Sequence, residues 1–253
     1  MRIAKAIAHA GLCSRRDAER WIGESRVAVN GTVLNTPAYL VNPEDKITVD
    51  GKPLPEAEVS RLWRYHKPKG LVTSHKAQGR KTVFEALPAG LPRVVSVGRL
   101  DLNTEGLLLF TTDGELARHL ELPSTGWLRR YRVRAHGKVT QADLDRLARG
   151  ITIDGVEYGP VEAKIDCERG ANVWLALGLR GGKNREVKRL AEVLGLTVNR
   201  LIRVSFGPFA LGDLPPGGLI EVKPRVLEDQ LGSKLAAALG LDSRPAQHLK
   251  RRP

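Results

Sequence analysis

Ile3, Ala6, Ile7 and Ala10 recur at helical spacing, and Gly11 follows them as a stop. Ser14 then stands as an N-cap for a second helix running through Asp17 to Gly23. Beyond it the period changes from helical to alternating. RVAVNG alternates apolar and polar residues into Asn30–Gly31, and TVLN and KITVDGK read as further short strands, the second entering an Asp50–Gly51 turn. Two helices followed by small strands predict a compact unit over residues 1–55.

Pro53–Ser60 is rich in Pro and Glu and predicts a linker centred on 56–61. After it, strand-like and helical stretches alternate without an internal repeat. Apolar and alternating runs predict strands at 62–66, 94–97, 106–111, 129–135, 160–167, 171–179, 198–206 and 219–222. Helices are expected at 113–121, at 141–149 behind a Thr140 cap, and at 185–194 between an Asn184 cap and Gly195. Many strands with a few helices packed on them predict an α+β fold with a mostly antiparallel sheet across 62–230. One more helical stretch starts at Arg225, and residues 231–253 read as a helix end and a basic tail closing on LKRRP.

Charge narrows the function. Lys and Arg outnumber Asp and Glu by 41 to 28, a net charge of +13, which favours a polyanionic partner, nucleic acid above all. The excess is uneven: residues 61–222 carry 26 basic against 17 acidic side chains, whereas residues 1–60 balance at eight each. No run of about 18 apolar residues exists to span a bilayer, and the opening MRIAKAIAHAGLCSRRDAER is too charged for a secretory signal. The expectation is a cytoplasmic monomer with no membrane contact. Cys13 and Cys167 lack a C-x-x-C partner and are expected to be buried small hydrophobes, neither a disulfide nor zinc ligands.

Several chemistries fall away. GLRGGKN falls short of a phosphate-binding loop, because its required first glycine is Leu177 and Asn184 follows Lys183 where Ser or Thr is needed. The histidines form no H-E-x-x-H pair, and neither Ser96 nor Ser205 sits in a G-x-S-x-G elbow. What remains is a carboxylate working without a cofactor. Asp101, in VGRLDLNTEGLLLFTTDG, stands between two apolar runs beside Gly98 and Arg99. Alone, it reads as a turn residue.

Three segments, in order, give it another meaning: GRLD with Asp101, RRYRVRAHG with Tyr131, and GGKNREVKRL with Arg185, followed by NRLIRVSFGPF. Together they resemble the pseudouridine synthases of the branch that acts on ribosomal RNA, over residues 62 to about 222. RIAKAIAHAGLCSRRDAERWIGESRVAVNGTVL resembles the S4 RNA-binding domain that stands in front of the catalytic domain in that branch. KPKGLVTSH, GRKTVFEALP and RLIRVSFG are similar to members acting on large-subunit ribosomal RNA. One departure is Arg130, where the branch commonly has Lys.

The resemblance implies roles for named residues and no cofactor. Asp101 is the catalytic carboxylate, Tyr131 offers a ring for a flipped uracil, and Arg185 is expected to pair with Asp101. Ser14, Arg15 and Arg16 match the phosphate-binding turn of the S4 unit, and Arg99, Arg130, Lys183, Asn184 and Lys188 are further expected RNA contacts. Leu201 or Ile202 is expected to line the pocket. Alternation places Tyr131, Val133 and Ala135 on one face of their strand and Arg130, Arg132 and Arg134 on the other. Pseudouridine formation breaks the uracil N1–C1′ bond, turns the base and rejoins it through C5. Asp101 would act on the sugar as nucleophile or base, or on the base ring, and the sequence leaves these open. Two other readings stand beside this one: a small-subunit synthase with the same layout, and a non-catalytic ribosome-assembly factor using only the S4 unit and the basic surface. A carboxylate within a basic groove argues against the latter.

Overall fold

The Ser14 hydroxyl accepts the Asp17 backbone N–H at 3.1 Å, and this cap starts the second helix where the sequence places it. The computed structural model of the chain describes residues 1–56, 59–75, 78–232 and 236–237. Most of the expected tail at 231–253 lies outside the described residues. Helices α1 (Ile3–His9) and α2 (Arg15–Gly23) precede strands β1 (Val27–Val29), β2 (Thr32–Val33), β3 (Ile47–Val49) and β4 (Lys52–Pro53), which pair antiparallel in the order β2-β1-β3-β4. Asn30 and Asp50 take φ values of 51° and 49° ahead of Gly31 and Gly51, the left-handed pair a two-residue hairpin requires. Ile3, Ile7, Ala18, Ile22 and Val27 are fully buried and form this unit's core.

The second unit contains β5 (Leu62–Lys67), β6 (Val95–Val97), β7 (Thr104–Thr111), α3 (Gly114–Glu121), β8 (Arg129–His136), α4 (Gln141–Asp145), β9 (Ile151–Ile153) and β10 (Val156–Tyr158). It continues with β11 (Val161–Arg169), β12 (Asn172–Leu179), α5 (Glu186–Val193), β13 (Thr197–Phe206), β14 (Phe209–Ala210), β15 (Leu219–Glu221) and α6 (Pro224–Leu231). Its large sheet runs β11-β12-β8-β13-β7-β5-β15, with β6 beside β7 and β14 beside β13. Every pairing in it is antiparallel except the central one, β13 with β7, which is parallel. At that seam Gly106 takes φ +102°, and a Cβ there would stand 2.3 Å from the Arg203 carbonyl oxygen. Only glycine fits. The seam therefore brings the end of the Asp101 segment against β13 at backbone distance.

The sheet is covered by separate apolar clusters, one between β8, β12, β13 and α5, another between β7 and α3. Asp113 starts α3 by accepting the N–H groups of Glu115 at 2.7 Å and Leu116 at 3.4 Å. It also receives the Ser60 hydroxyl at 2.6 Å, which fastens the end of the linker to the large domain. Lys5 of α1 pairs with Glu115 of α3 across the two units.

Three expectations change. The helix expected at 141–149 is α4 followed by a tighter turn over Arg146–Arg149. A hairpin, β9–β10, fills a stretch left without elements, closed by Asp154 and Gly155 in the same left-handed geometry as the two N-terminal turns. Cys13 is buried, but Cys167 is only half-buried, because it lies beside a register shift in the edge strand β11.

Candidate active site

Lys67 organises the turn that carries Asp101. It ends β5 in phase with Trp63 and Tyr65, and like them it points inward, with no exposed surface. Its ammonium donates to the carbonyls of Pro68 at 3.1 Å, Asp101 at 3.1 Å, Leu102 at 3.3 Å and Thr104 at 2.9 Å. Three of these acceptors lie within Asp101–Thr104, which leaves that backbone little freedom. Burial pulls the Lys67 ammonium down to about 8, opposed by the negative charges of Asp101 and Glu105.

With its backbone held from below, Asp101 presents a carboxylate, 40 % exposed, into a cleft of about 760 Å³. That volume suits a nucleotide-sized group. Tyr131 and Arg129 enter from β8, Leu201, Arg203 and Phe206 from β13, and Lys188 from α5. The Lys188 ammonium stands 3.8 Å from the Asp101 carboxylate.

Arg185 does not pair with Asp101. It is the N-cap of α5, in place of Asn184, and adopts φ 54°, a conformation that costs a non-glycine residue about 1 kcal/mol or more. It lines the cleft, but the ion pair of its exposed side chain is with Glu192, 4.0 Å away. Lys188 lies within the helix, where its side chain returns over the cleft. The expected cation is present, three residues later than the sequence reading places it.

The other expected contacts divide. Arg99, Lys183, Asn184 and Lys188 line the cleft. The Lys183 ammonium also donates to the Glu157 carbonyl and lies 5.4 Å from the Tyr158 ring. Arg130 is on the opposite face of the sheet, 3.7 Å from Glu162, so it borders a different groove. The alternation of β8 that brings Tyr131 to the cleft necessarily turns Arg130 away. Of Leu201 and Ile202, Leu201 lines the cleft while Ile202 packs with the cluster under α3. Ser14 is spent on the α2 cap, whereas Arg15 and Arg16 are exposed and form no ion pair among the described residues.

Three buried polar residues were not singled out in the sequence, Lys67 beneath the Asp101 turn and Glu186 and Arg203 at the cleft, whereas Arg129, also buried at the cleft, belongs to the arginine cluster expected to hold phosphates. Arg129 donates from Nη1 to the Arg180 carbonyl at 3.1 Å and to that of Gly181, and from Nη2 to Glu121 at 3.3 Å. It thereby pins the glycine-rich loop ahead of α5. Burial pushes the Glu186 carboxyl up, against the Lys183 N–H that it accepts at 3.1 Å. Each of the three cations sits in phase with the apolar side chains of its strand, a signal that was available in the sequence. Among the described residues no three His, Cys, Asp or Glu side chains gather as a metal site.

A family model described as "RNA pseudouridylate synthase" matches residues 61–192, and one described as "S4 domain" matches residues 1–47. The chain belongs to the RNA pseudouridine synthase family, with an S4 domain at its N-terminus. It is 47 % identical over 228 residues to an "Uncharacterized RNA pseudouridine synthase" of Rickettsia felis, covering 90 % of this chain and 99 % of that one. It is 41 % identical over 262 residues to "Ribosomal large subunit pseudouridine synthase B" of Pseudomonas aeruginosa, covering 99 % of this chain and 67 % of that one. A solved structure described as "Crystal structure of pseudouridylate synthase" superposes with a TM-score of 0.66 at 25 % identity, covering 92 % of this chain and all of that chain.

Proposed function

We propose that this enzyme isomerises a uridine of large-subunit ribosomal RNA to pseudouridine, with Asp101 as the catalytic carboxylate and no cofactor. The observation that carries the reading is the Asp101 turn. The backbone that carries a carboxylate is held by a buried lysine donating to the carbonyls of Asp101, Leu102 and Thr104, and the carboxylate faces a nucleotide-sized cleft beside Tyr131 and Lys188. A protein that only bound RNA would gain nothing from an anion held where phosphates arrive. The large-subunit target is supported by the relatives named for that reaction.

In the reaction the N1–C1′ bond of the target uridine breaks and a C5–C1′ bond forms, the C5 proton leaves and N1 gains one, so substrate and product are isomers. Asp101 supplies the negative charge or nucleophile that manages the freed sugar–base pair. Lys188, 3.8 Å away, orients that carboxylate through its charge. Tyr131 gives the flipped base a ring to stack on and a hydroxyl beside it. Arg99 at the cleft and Arg15 and Arg16 on the S4 unit take backbone phosphates.

Mapping pseudouridine in ribosomal RNA from cells with and without this protein tests the reading. A single large-subunit uridine is expected to lose its modification and to regain it with the wild-type gene but not with Asp101→Asn. Loss of a small-subunit site would move the target to the other ribosomal RNA. Loss of no site would return the protein to the RNA-binding factors.

A further inference from the structure

Arg203 is the buried cation at the cleft to which the proposed chemistry gives no task. It is 2 % exposed, its Nε donates to the Leu107 carbonyl at 2.7 Å, and its guanidinium carbon lies 5.2 Å from the centroid of the Phe206 ring. Gly106 lets the two parallel strands close on it. These contacts fix the stem and one edge of the guanidinium. They leave Nη2 buried with no hydrogen-bond partner among the described residues, and Arg203 forms no ion pair there. A buried charged donor without an acceptor is rare and calls for a reason.

The acceptor in reach lies across the ladder. Arg203 and Tyr131 are directly opposed in the β8–β13 register, and opposed side chains share one face of a sheet. Both line the cleft that holds Asp101. Burial drags the guanidinium below its usual range, and of the groups around it Tyr131 works hardest against that fall.

We propose that Arg203 is a positioning residue for Tyr131: its remaining Nη2–H donates to the phenol oxygen, which directs the hydroxyl's own proton into the cleft. A hydroxyl has one proton to give and can accept from others, so an acceptor role toward Arg203 removes the freedom of that proton to turn back into the protein. The β8–β13 pairing sets the separation, and the Leu107 carbonyl sets the angle of the fork. Regular pairing breaks immediately afterwards, between Arg203 and Ser205. The catalytic consequence rests on the proposed function, whereas the contact belongs to the RNA-free protein.

The test uses the full chain labelled with 13C at the tyrosine ζ carbon, in which the signal of Tyr131 is identified by Tyr131→Phe. In Arg203→Lys, which keeps a charge but lacks the second prong, the Tyr131 signal is expected to move while those of Tyr39 and Tyr158 stay. On a large-subunit ribosomal RNA fragment the same variant is expected to lose about tenfold or more in kcat, with Kd for that RNA within about threefold of wild type. The reverse measurement guards against a misfolded variant: Tyr131→Phe removes one hydroxyl from a half-buried residue, and the 15N guanidinium signals of Arg203 are expected to move in it. An unmoved Tyr131 signal in a folded Arg203→Lys, or unmoved Arg203 signals in Tyr131→Phe, overturns the proposal. Wild-type protein that makes no pseudouridine would overturn the function instead, and these signals would still decide the contact.

Discussion

Arg129 and Arg130 are neighbours in β8, and they meet opposite conditions. Arg129 is 8 % exposed, faces the cleft, stacks its guanidinium 4.7 Å from the Phe206 ring and holds three backbone carbonyls. Arg130 faces solvent on the other side, where its partner Glu162 is itself more than half exposed. The same division runs through the sheet. On the outer side Arg132 meets Asp166, and Arg200 grips Glu105 with two hydrogen bonds of 3.1 and 2.9 Å. Lys67 and Arg203, on the cleft side, donate to backbone carbonyls and form no ion pair among the described residues. Carboxylates thus offset several outer cations, while the cleft keeps its positive charge for Asp101 and an incoming polyanion. Composition predicts a basic protein, but the face on which each cation lies decides which charge is available to RNA.

The deepest test of this contrast is Asp101→Asn. The amide keeps the size of the side chain and leaves the Lys67 bonds to the backbone carbonyl untouched, while removing charge and basicity. Conversion of uridine in single-turnover assays is expected to fall by about 10³-fold or more, with RNA affinity within a few fold. Turnover near wild type would make Asp101 a turn residue and strip the cleft of its chemistry.

Next in size is Lys67→Met, which fills the same volume and releases the turn. A displacement of the carboxylate by about 1 Å is expected to lower kcat by about 10²-fold, and stability, measured by denaturant unfolding, is expected to fall by about 1–3 kcal/mol as the carbonyls of Asp101, Leu102 and Thr104 lose their donor. The pH dependence separates the two roles. The folded chain holds Lys67 near 8, below its ordinary 10.5, so between those values the unfolded chain binds more protons. This group's cost to stability is therefore fully present below about 8 and is relieved as pH rises to about 10.5. Activity runs the other way, declining above about 8 as the ammonium loses a donor and its charge. Both trends are expected as wild-type-minus-variant differences, and parallel profiles for the two proteins would sink the assignment.

A smaller effect distinguishes the two cations of the α5 region. Lys188→Met is expected to reduce kcat by about tenfold, whereas Arg185→Lys, whose side chain faces Glu192, stays within about threefold of wild type. The opposite ranking would restore Arg185 as the partner of Asp101 and would require α5 to rotate when RNA binds.

The strands of the sheet and the two N-terminal hairpins were legible because period and turn chemistry are local: alternation from Leu62, Arg129 and Thr197 and the Asn30–Gly31 and Asp50–Gly51 pairs each point to one geometry. The order of the strands was not legible, since pairing β13 with β7 in parallel joins residues about a hundred positions apart, and no local pattern encodes that choice. The same limit displaced the partner of Asp101. Whether residue 185 or residue 188 faces the carboxylate depends on how α5 begins, and its left-handed first residue cannot be read from a helix-like period. The buried cations were legible in principle. Lys67 follows Trp63 and Tyr65 at two-residue spacing, and Arg203 follows Leu201, so a cation in step with apolar neighbours marks an inward-facing charge, whereas Arg130, Arg132 and Arg134 are out of step with Val133 and Ala135.

That rule makes its mildest and most exposed prediction at Arg130. The family resemblance makes this residue an RNA contact in place of a common lysine, whereas the sheet turns it away from the cleft toward Glu162. An exposed pair of this kind contributes about 0–1 kcal/mol, so Arg130→Ala is expected to leave unfolding free energy nearly unchanged. If RNA wraps only the cleft side, affinity for a large-subunit RNA fragment stays within about twofold and the slope of log K against log salt does not change. If RNA also reaches the outer face, the slope becomes shallower by roughly 0.7 to 0.9 for the lost phosphate contact. Filter binding across a salt series separates these outcomes even where the change in affinity at one salt concentration is small. Arg132→Ala is the matched control, because Arg132 shares the outer face but is held by Asp166 at 3.0 Å and by the Trp174 ring at 4.6 Å. A shallower slope in Arg130→Ala alone would identify one phosphate path around the edge of the sheet, and in both variants it would make the outer face part of the RNA-binding surface and end the contrast between the two sides.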